Sequence, residues 1–105
     1  MTVIDGQGYM TYQPFLPEAA AGNLEPRHLV IPLRRVLDKC ELLTGTVTRI
    51  DHAARRICFR PDEGAARDVG YDVLVVACGS VAKTLPIPGL AETGIAFRTV
   101  AEAIY

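Results

Sequence analysis

The chain has no long apolar run, almost no net charge and only three cysteines, and each shortage removes a class of function. The longest apolar stretches, Val73 to Cys78 and Leu29 to Leu33, fall far below the roughly 20 residues that cross a bilayer. The N-terminus shows no basic start followed by an apolar stretch, so no secretory signal is expected. Formal net charge is -1, with Lys and Arg scattered along the chain. Without a basic face to neutralise phosphates, nucleic-acid binding is disfavoured. Cys40, Cys58 and Cys78 are odd in number and widely spaced, with no Cys-x-x-Cys and no His pair in zinc-ligand register. A metal site is therefore not expected, and the cysteines read as small apolar residues of a reducing, cytoplasmic setting.

What is present is enough for one compact core: 105 residues, 50% of them hydrophobic. Thr2-Val3-Ile4 is a short β-branched run closed by Asp5-Gly6, which predicts a buried strand ending in a turn. From Gly8 to Asn23, Pro14 and Pro17 interrupt any long helix and leave a loop with one short helix. Leu29, Val30, Leu33, Val36 and Leu37 fall near helical spacing, so a helix is predicted from about Pro32 to about Lys39. From Glu41 the apolar period becomes two, predicting a long strand, then a second at Arg56 to Arg60 and a third around Arg67 to Val69. These three form an antiparallel meander over about 41–70.

Tyr71 to Ser80 differs in kind. Val73-Leu74-Val75-Val76 is apolar without alternation, the pattern of a parallel-sheet strand covered on both faces, placed at about 72–77. Pro86, Pro88 and Gly89 predict an extended connection, and Thr99-Val100-Ala101-Glu102 has capping-box spacing for a helix. Both chain ends then fall inside predicted secondary structure, and a capped helix this short is marginal by itself. A truncated domain, lacking flanking segments that its fold needs, is the expectation.

The order of these pieces carries a resemblance. A strand ending in an acid, the loop Tyr12-Gln13-Pro14-Phe15-Leu16, a short helix, a meander, then the run Tyr71 to Ser80 and Pro86-Ile87-Pro88-Gly89-Leu90 follow one another. That order resembles the first half of the FAD-binding domain of type II NADH dehydrogenases. These are NADH:quinone oxidoreductases of the pyridine nucleotide-disulfide oxidoreductase superfamily. The fold class implied is α/β, an incomplete Rossmann-like FAD/NAD(P)-binding domain over residues 1–105. In it the meander is inserted between parallel strands at about 2–5 and 72–77.

The resemblance also implies a site. Asp5 matches the acid that accepts hydrogen bonds from a ribose diol, against the simpler reading of a turn signal. Gln13 and Pro14 match the loop near the isoalloxazine ring and the quinone pocket, and Glu18 follows the same loop as a solvated charge or a proton relay. Val47 matches a strand whose backbone pairs with the adenine edge. Ala77, Cys78 and Gly79 match the second flavin fingerprint, where small residues let the backbone come close. In this chain Cys78 replaces the usual Thr. No residue is expected to act in catalysis itself; His28 and His52 read as surface groups, and Cys78 has no neighbouring cysteine for disulfide chemistry.

The family's Gly-x-Gly-x-x-Gly phosphate cradle precedes the residue matching Met1. Gly6-Gln7-Gly8 is followed by Tyr9, Met10 and Thr11 and does not replace it. The resemblance thus implies FAD as cofactor, and NADH and quinone as substrates of a complete parent lying peripherally on the cytoplasmic face of the membrane. The isolated chain is expected to be inactive. Two other readings stay open: a non-catalytic remnant, and a piece of another flavoprotein such as a ferredoxin or disulfide reductase.

Overall fold

The computed structural model describes residues 1–104. Among them the chain divides into two compact units, Met1–Met10 with Pro32–Ala77, and Thr11–Ile31 with the residues from Cys78 onward.

The first unit is built on a four-stranded sheet in the order β1-β4-β5-β6. β1, Thr2–Asp5, lies parallel to the start of β4, Glu41–Asp51, in the register Thr2↔Glu41 to Asp5↔Thr44. A parallel pair needs a long crossover between its strands, which residues 6–40 supply. Beyond Thr44, β4 leaves β1 and pairs antiparallel with β5, Arg56–Pro61, from Gly45↔Pro61 to Asp51↔Arg56. The register slips between Val47 and Arg49, a bulge that bends the strand. β6, Arg67–Gly70, closes the meander against β5. The β4–β5 turn is held by Asp51 Oδ1, which accepts from the Ala54 amide at 2.9 Å, and by Arg55 in the left-handed region at φ 51°.

Partner exchange in β4 depends on Gly45. Its φ is +149°, and a Cβ built there would sit 2.3 Å from the Arg60 carbonyl oxygen and 2.8 Å from Phe59 Cε2. Phe59 is 1% exposed, and with Ile57 and Leu33 it forms the buried apolar part of this unit. The missing side chain of Gly45 is what lets the Phe59 ring close over the strand.

In the second unit a 3₁₀ turn at Gln13–Phe15 leads into α1, Leu16–Ala20. Another 3₁₀ turn, Pro26–Leu29, returns the chain, and the Tyr12 amide bonds to the Leu29 carbonyl at 2.8 Å. Leu16, Ala19 and Leu29 are buried with Ala103 of α4, Val100–Ala103, and Leu24 and Val100 pack around them. Burying each Leu side chain is worth about 1.5–3 kcal/mol, so this small cluster is the main force closing the unit. α3, Leu90–Thr93, follows the Pro-rich connection. β2, Tyr9–Thr11, and β3, Val30–Pro32, pair as a two-stranded ribbon.

One expectation is corrected. The helix predicted from about Pro32 to about Lys39 is a single turn, α2, Leu33–Val36: Pro32 is taken into β3, and Leu37 leaves helical geometry at φ -114°, ψ 45°. β-branched Val30 and Ile31 suit an extended ladder better than a helix. Residues 72–77, where a parallel strand is expected, join no ladder among the described residues, and β1 pairs there only with β4. Val73, Val75 and Val76 are 83%, 81% and 64% exposed. A strand apolar on both faces needs partners at its edges and layers above and below. Among the described residues no ladder takes it in.

Candidate functional site

In the first unit the site residue with the clearest placement is Asp5, the last residue of β1 and half-buried. Ligands of open parallel sheets bind beyond the carboxyl ends of the strands, and Asp5 is at such an end. Its Oδ1 accepts from the Gln7 amide at 2.7 Å, which fixes the carboxylate in an Asx turn. Among the described residues Oδ2 makes no hydrogen bond, so one oxygen is anchored and the other is open to a hydroxyl donor. The turn reading and the ribose reading are therefore compatible: the turn orients the acceptor.

Val47 lies on the same strand edge. Asp5 is in register with Thr44, the last residue of β4 that β1 covers. From Gly45 onward β4 is paired on its β5 side alone. Val47 is three residues past Thr44, or about 10 Å along the strand. Its side chain is 39% exposed. The carboxylate of Asp5 is thus followed by a bare backbone edge that offers N–H and C=O groups to a flat heterocycle. Gly6 and Gly8 keep the turn after Asp5 small; nothing lies within 4 Å of a Cβ built on Gly8.

In the second unit Gln13 opens the 3₁₀ turn and Pro14 sits in its first turn, both exposed. Gln13 Nε2 donates to the Arg98 carbonyl at 3.2 Å. Tyr12 and Phe15 meet edge to face, with ring centroids 5.1 Å apart. Glu18 is exposed in the first turn of α1. Cys78 and Gly79 are exposed, as is Ala77 in the other unit, and Gly79 adopts φ 67° with nothing within 4 Å of its Cβ position. A left-handed glycine with open space beside it suits close approach of a ligand to the backbone.

Sequence reasoning named the Thr99–Glu102 capping box but not its reach. Glu102 Oε2 accepts from the Arg98 and Thr99 amides, each at 2.8 Å, while Thr99 Oγ1 accepts from the Glu102 amide at 3.2 Å. These two backbone donors hold the Glu102 carboxyl below the usual carboxylate range. The contact from Arg98 to Gln13 spans 85 residues of sequence, and no local pattern announces it.

The remaining chemistry-bearing groups form no second centre among the described residues. No group of three His, Cys, Asp or Glu there could hold a metal ion. Cys40, Cys58 and Cys78 are free thiols. His52 Nδ1 lies 3.2 Å from the Tyr71 hydroxyl, near an open polar hollow lined by Arg55, Arg56 and Asp72.

For an adenine dinucleotide the described residues fit in part. Asp5 presents a carboxylate oxygen of the kind a ribose diol needs and β4 an uncovered edge, but the described helices run to at most five residues, with no glycine-rich turn at their start. Polar groups suited to a sugar and a base are thus at hand, and a pyrophosphate cradle is not among the described residues.

Known proteins resemble the chain along nearly its whole length. Residues 1–104 match the family model described as pyridine nucleotide-disulphide oxidoreductase. The chain is 27% identical over 111 residues to the external alternative NADH-ubiquinone oxidoreductase, mitochondrial, of Yarrowia lipolytica, covering 96% of this chain and 19% of that protein. It is 31% identical over 102 residues to the type II NADH:quinone oxidoreductase of Staphylococcus epidermidis, covering 95% and 24%. Among solved structures, NDH2 from Plasmodium falciparum in complex with NADH superposes with a TM-score of 0.83 at 22% identity, covering 97% of this chain and 22% of that one. The sulfide:quinone oxidoreductase of Aquifex aeolicus superposes with a TM-score of 0.80 at 24% identity, covering 98% and 23%. The chain spans about a fifth to a quarter of the length of these curated relatives. With a family model matched along nearly its whole length and the corresponding fold in place, the chain belongs to the pyridine nucleotide-disulphide oxidoreductase family.

Proposed function

We propose that this chain forms part of the FAD-binding domain of a flavoprotein that carries electrons from NADH to a quinone. The observation that carries the reading is the β1–β4 pair: Asp5 at its carboxyl end, oriented by the Gln7 amide, followed by the uncovered edge of β4 at Val47. In this reading Asp5 accepts the adenosine ribose hydroxyls, and the Val47 backbone meets the adenine edge. Gln13 and Pro14 face the isoalloxazine ring, and Ala77, Cys78 and Gly79 let the backbone approach the cofactor. Bound flavin would supply two-electron redox chemistry between NADH and the quinone, and the protein supplies position and electrostatics.

We extend the proposal to the whole protein. Residues 72–77 supply a further strand when partner strands are available, and the isolated chain is inactive because it holds acceptors for sugar and base without a phosphate cradle. The complete protein lies peripherally on the cytoplasmic face of a membrane. Among the described residues no helix is long and apolar enough to cross one.

The test is a titration of the ¹⁵N-labelled chain with FAD, followed through backbone amide resonances. Gly6, Gln7 and Val47 are expected to shift together, and Asp5→Ala to weaken the association about 10- to 100-fold, as expected for losing hydrogen bonds to a charged acceptor worth about 1.5–3 kcal/mol. Absence of any shift at these amides in millimolar FAD, or equal binding by the Asp5→Ala chain, would overturn the reading. A second reading, a piece of another enzyme of the same family, is favoured by the likeness to sulfide:quinone oxidoreductase. Assaying the complete protein with NADH against sulfide as the donor to a quinone, and with ferredoxin and disulfide acceptors, separates the two.

A further inference from the structure

One peptide group, at Arg98, is used on both sides. Its N–H donates to Glu102 Oε2 at 2.8 Å, and its C=O accepts from Gln13 Nε2 at 3.2 Å. The same Glu102 oxygen takes the Thr99 amide at 2.8 Å, so two backbone donors converge on one carboxylate oxygen. Charge-assisted bonds of this kind are about twice as strong as neutral ones. They lock the peptide preceding α4, which is itself fastened by the packing of Ala103 and Val100 onto Leu16, Ala19 and Leu29.

The consequence falls on Gln13. A carbonyl oxygen can only accept, so the Gln13 amide must turn its NH₂ toward Arg98. Its Oε1 is thereby directed away from that contact as an acceptor with no partner among the described residues, while one N–H is consumed. A free glutamine presents either end to a ligand; this one is committed.

We propose that Glu102, acting through the Arg98 peptide, is a positioning residue that fixes the Gln13 side chain so that it offers Oε1 to a ligand group bearing an N–H or O–H. Chemically, the ligand is one with a donor at its edge, such as an imide N–H of a flavin ring or the hydroxyl of a reduced quinone. The identification of the ligand rests on the reading of the Gln13 loop given above; the orientation of the amide does not.

The test observes the Gln13 side-chain NH₂ resonances directly in the ¹⁵N-labelled 105-residue chain. In the native sequence they are expected to be split further apart than those of a free glutamine. Glu102→Ala should collapse them to the positions of a free glutamine, and Glu102→Gln, which retains an acceptor for the two amides, should restore at least half of the splitting. Val100→Ala, which trims packing without touching the relay, should leave them unmoved. Leu16 and Ala103 methyl resonances monitor folding; if Glu102→Ala loses them, the comparison of Glu102→Gln with Val100→Ala decides by itself. Gln13 signals that stay native in a folded Glu102→Ala chain, or that follow Val100→Ala, overturn the proposal. Addition of FAD, and separately of a short-chain ubiquinone, should move the Gln13 signals in the native chain and move them at least fivefold less in the Glu102→Ala chain. Signals that follow Glu102 but ignore both ligands would overturn the assignment of the loop to a binding site and leave the orientation relay in place.

Discussion

Replacement of Gly45 by alanine probes the joint on which the candidate site hangs. Gly45 is where β4 passes from β1 to β5, immediately after the residue paired with Asp5. An added Cβ would lie 2.3 Å from the Arg60 oxygen and 2.7 Å from Pro61 Cα, both backbone atoms of the paired strand, and 2.8 Å from the Phe59 ring. Backbone cannot swing aside as a flexible side chain can, so β5 must separate from β4 or the Phe59 ring must leave its pocket. Overpacking of this type costs about 1–3 kcal/mol. A φ of +149° adds strain for a residue with a Cβ, again about 1–3 kcal/mol. Even the lower bounds together, about 2 kcal/mol, correspond to roughly 8–16 °C in Tm for a domain of this size. Gly8→Ala is the control, since nothing lies within 4 Å of its Cβ position, and it should stay within about 0.5 kcal/mol of the native chain. Thermal unfolding followed by circular dichroism measures both. A Gly45→Ala chain that melts within about 3 °C of the native one would refute the argument that close approach of β5 requires glycine there.

Other outcomes follow from the same structure. Leu29→Ala removes a side chain that is 0% exposed at the centre of the second unit and should cost about 2–5 kcal/mol, read from the midpoint of urea unfolding. Val75→Thr should change stability by less than about 0.5 kcal/mol in this chain, because the valine is 81% exposed and unpaired; a loss above 1 kcal/mol would mean that the segment is packed after all. The Glu102 carboxyl is depressed in the folded chain by the Arg98 and Thr99 amides, so its capping contribution is fully present above the ordinary carboxylate range and is lost as pH falls through the lowered value. Amide shifts of Arg98 and Thr99 should therefore titrate in the acid range, and Glu102→Gln should abolish that titration.

The meander and the acid-ended first strand were legible because each rests on local chemistry. Alternating side chains from Glu41, turn residues at Asp51 and Pro61, and β-branched Thr2-Val3-Ile4 before Asp5-Gly6 state their own conformation. The capping box at Thr99 was equally readable, since its two hydrogen bonds join residues three apart. The stretch from Pro32 to Lys39 was read as a longer helix because apolar spacing alone reveals neither the ribbon that draws Pro32 into an extended ladder nor the non-helical backbone at Leu37.

The order of strand, loop, meander and small-residue motif in the sequence alone pointed to the family and suggested where a cofactor would be met. Tertiary structure decided how those pieces act. It left Val73 to Val76 unpaired, since a strand's place depends on which edges are within reach. It set Asp5 and Val47 along one edge of β4, because a parallel partner stops where Gly45 turns the strand over. It also oriented Gln13 by a carbonyl 85 residues away. Such contacts come from chain closure and packing, which no short window of sequence contains.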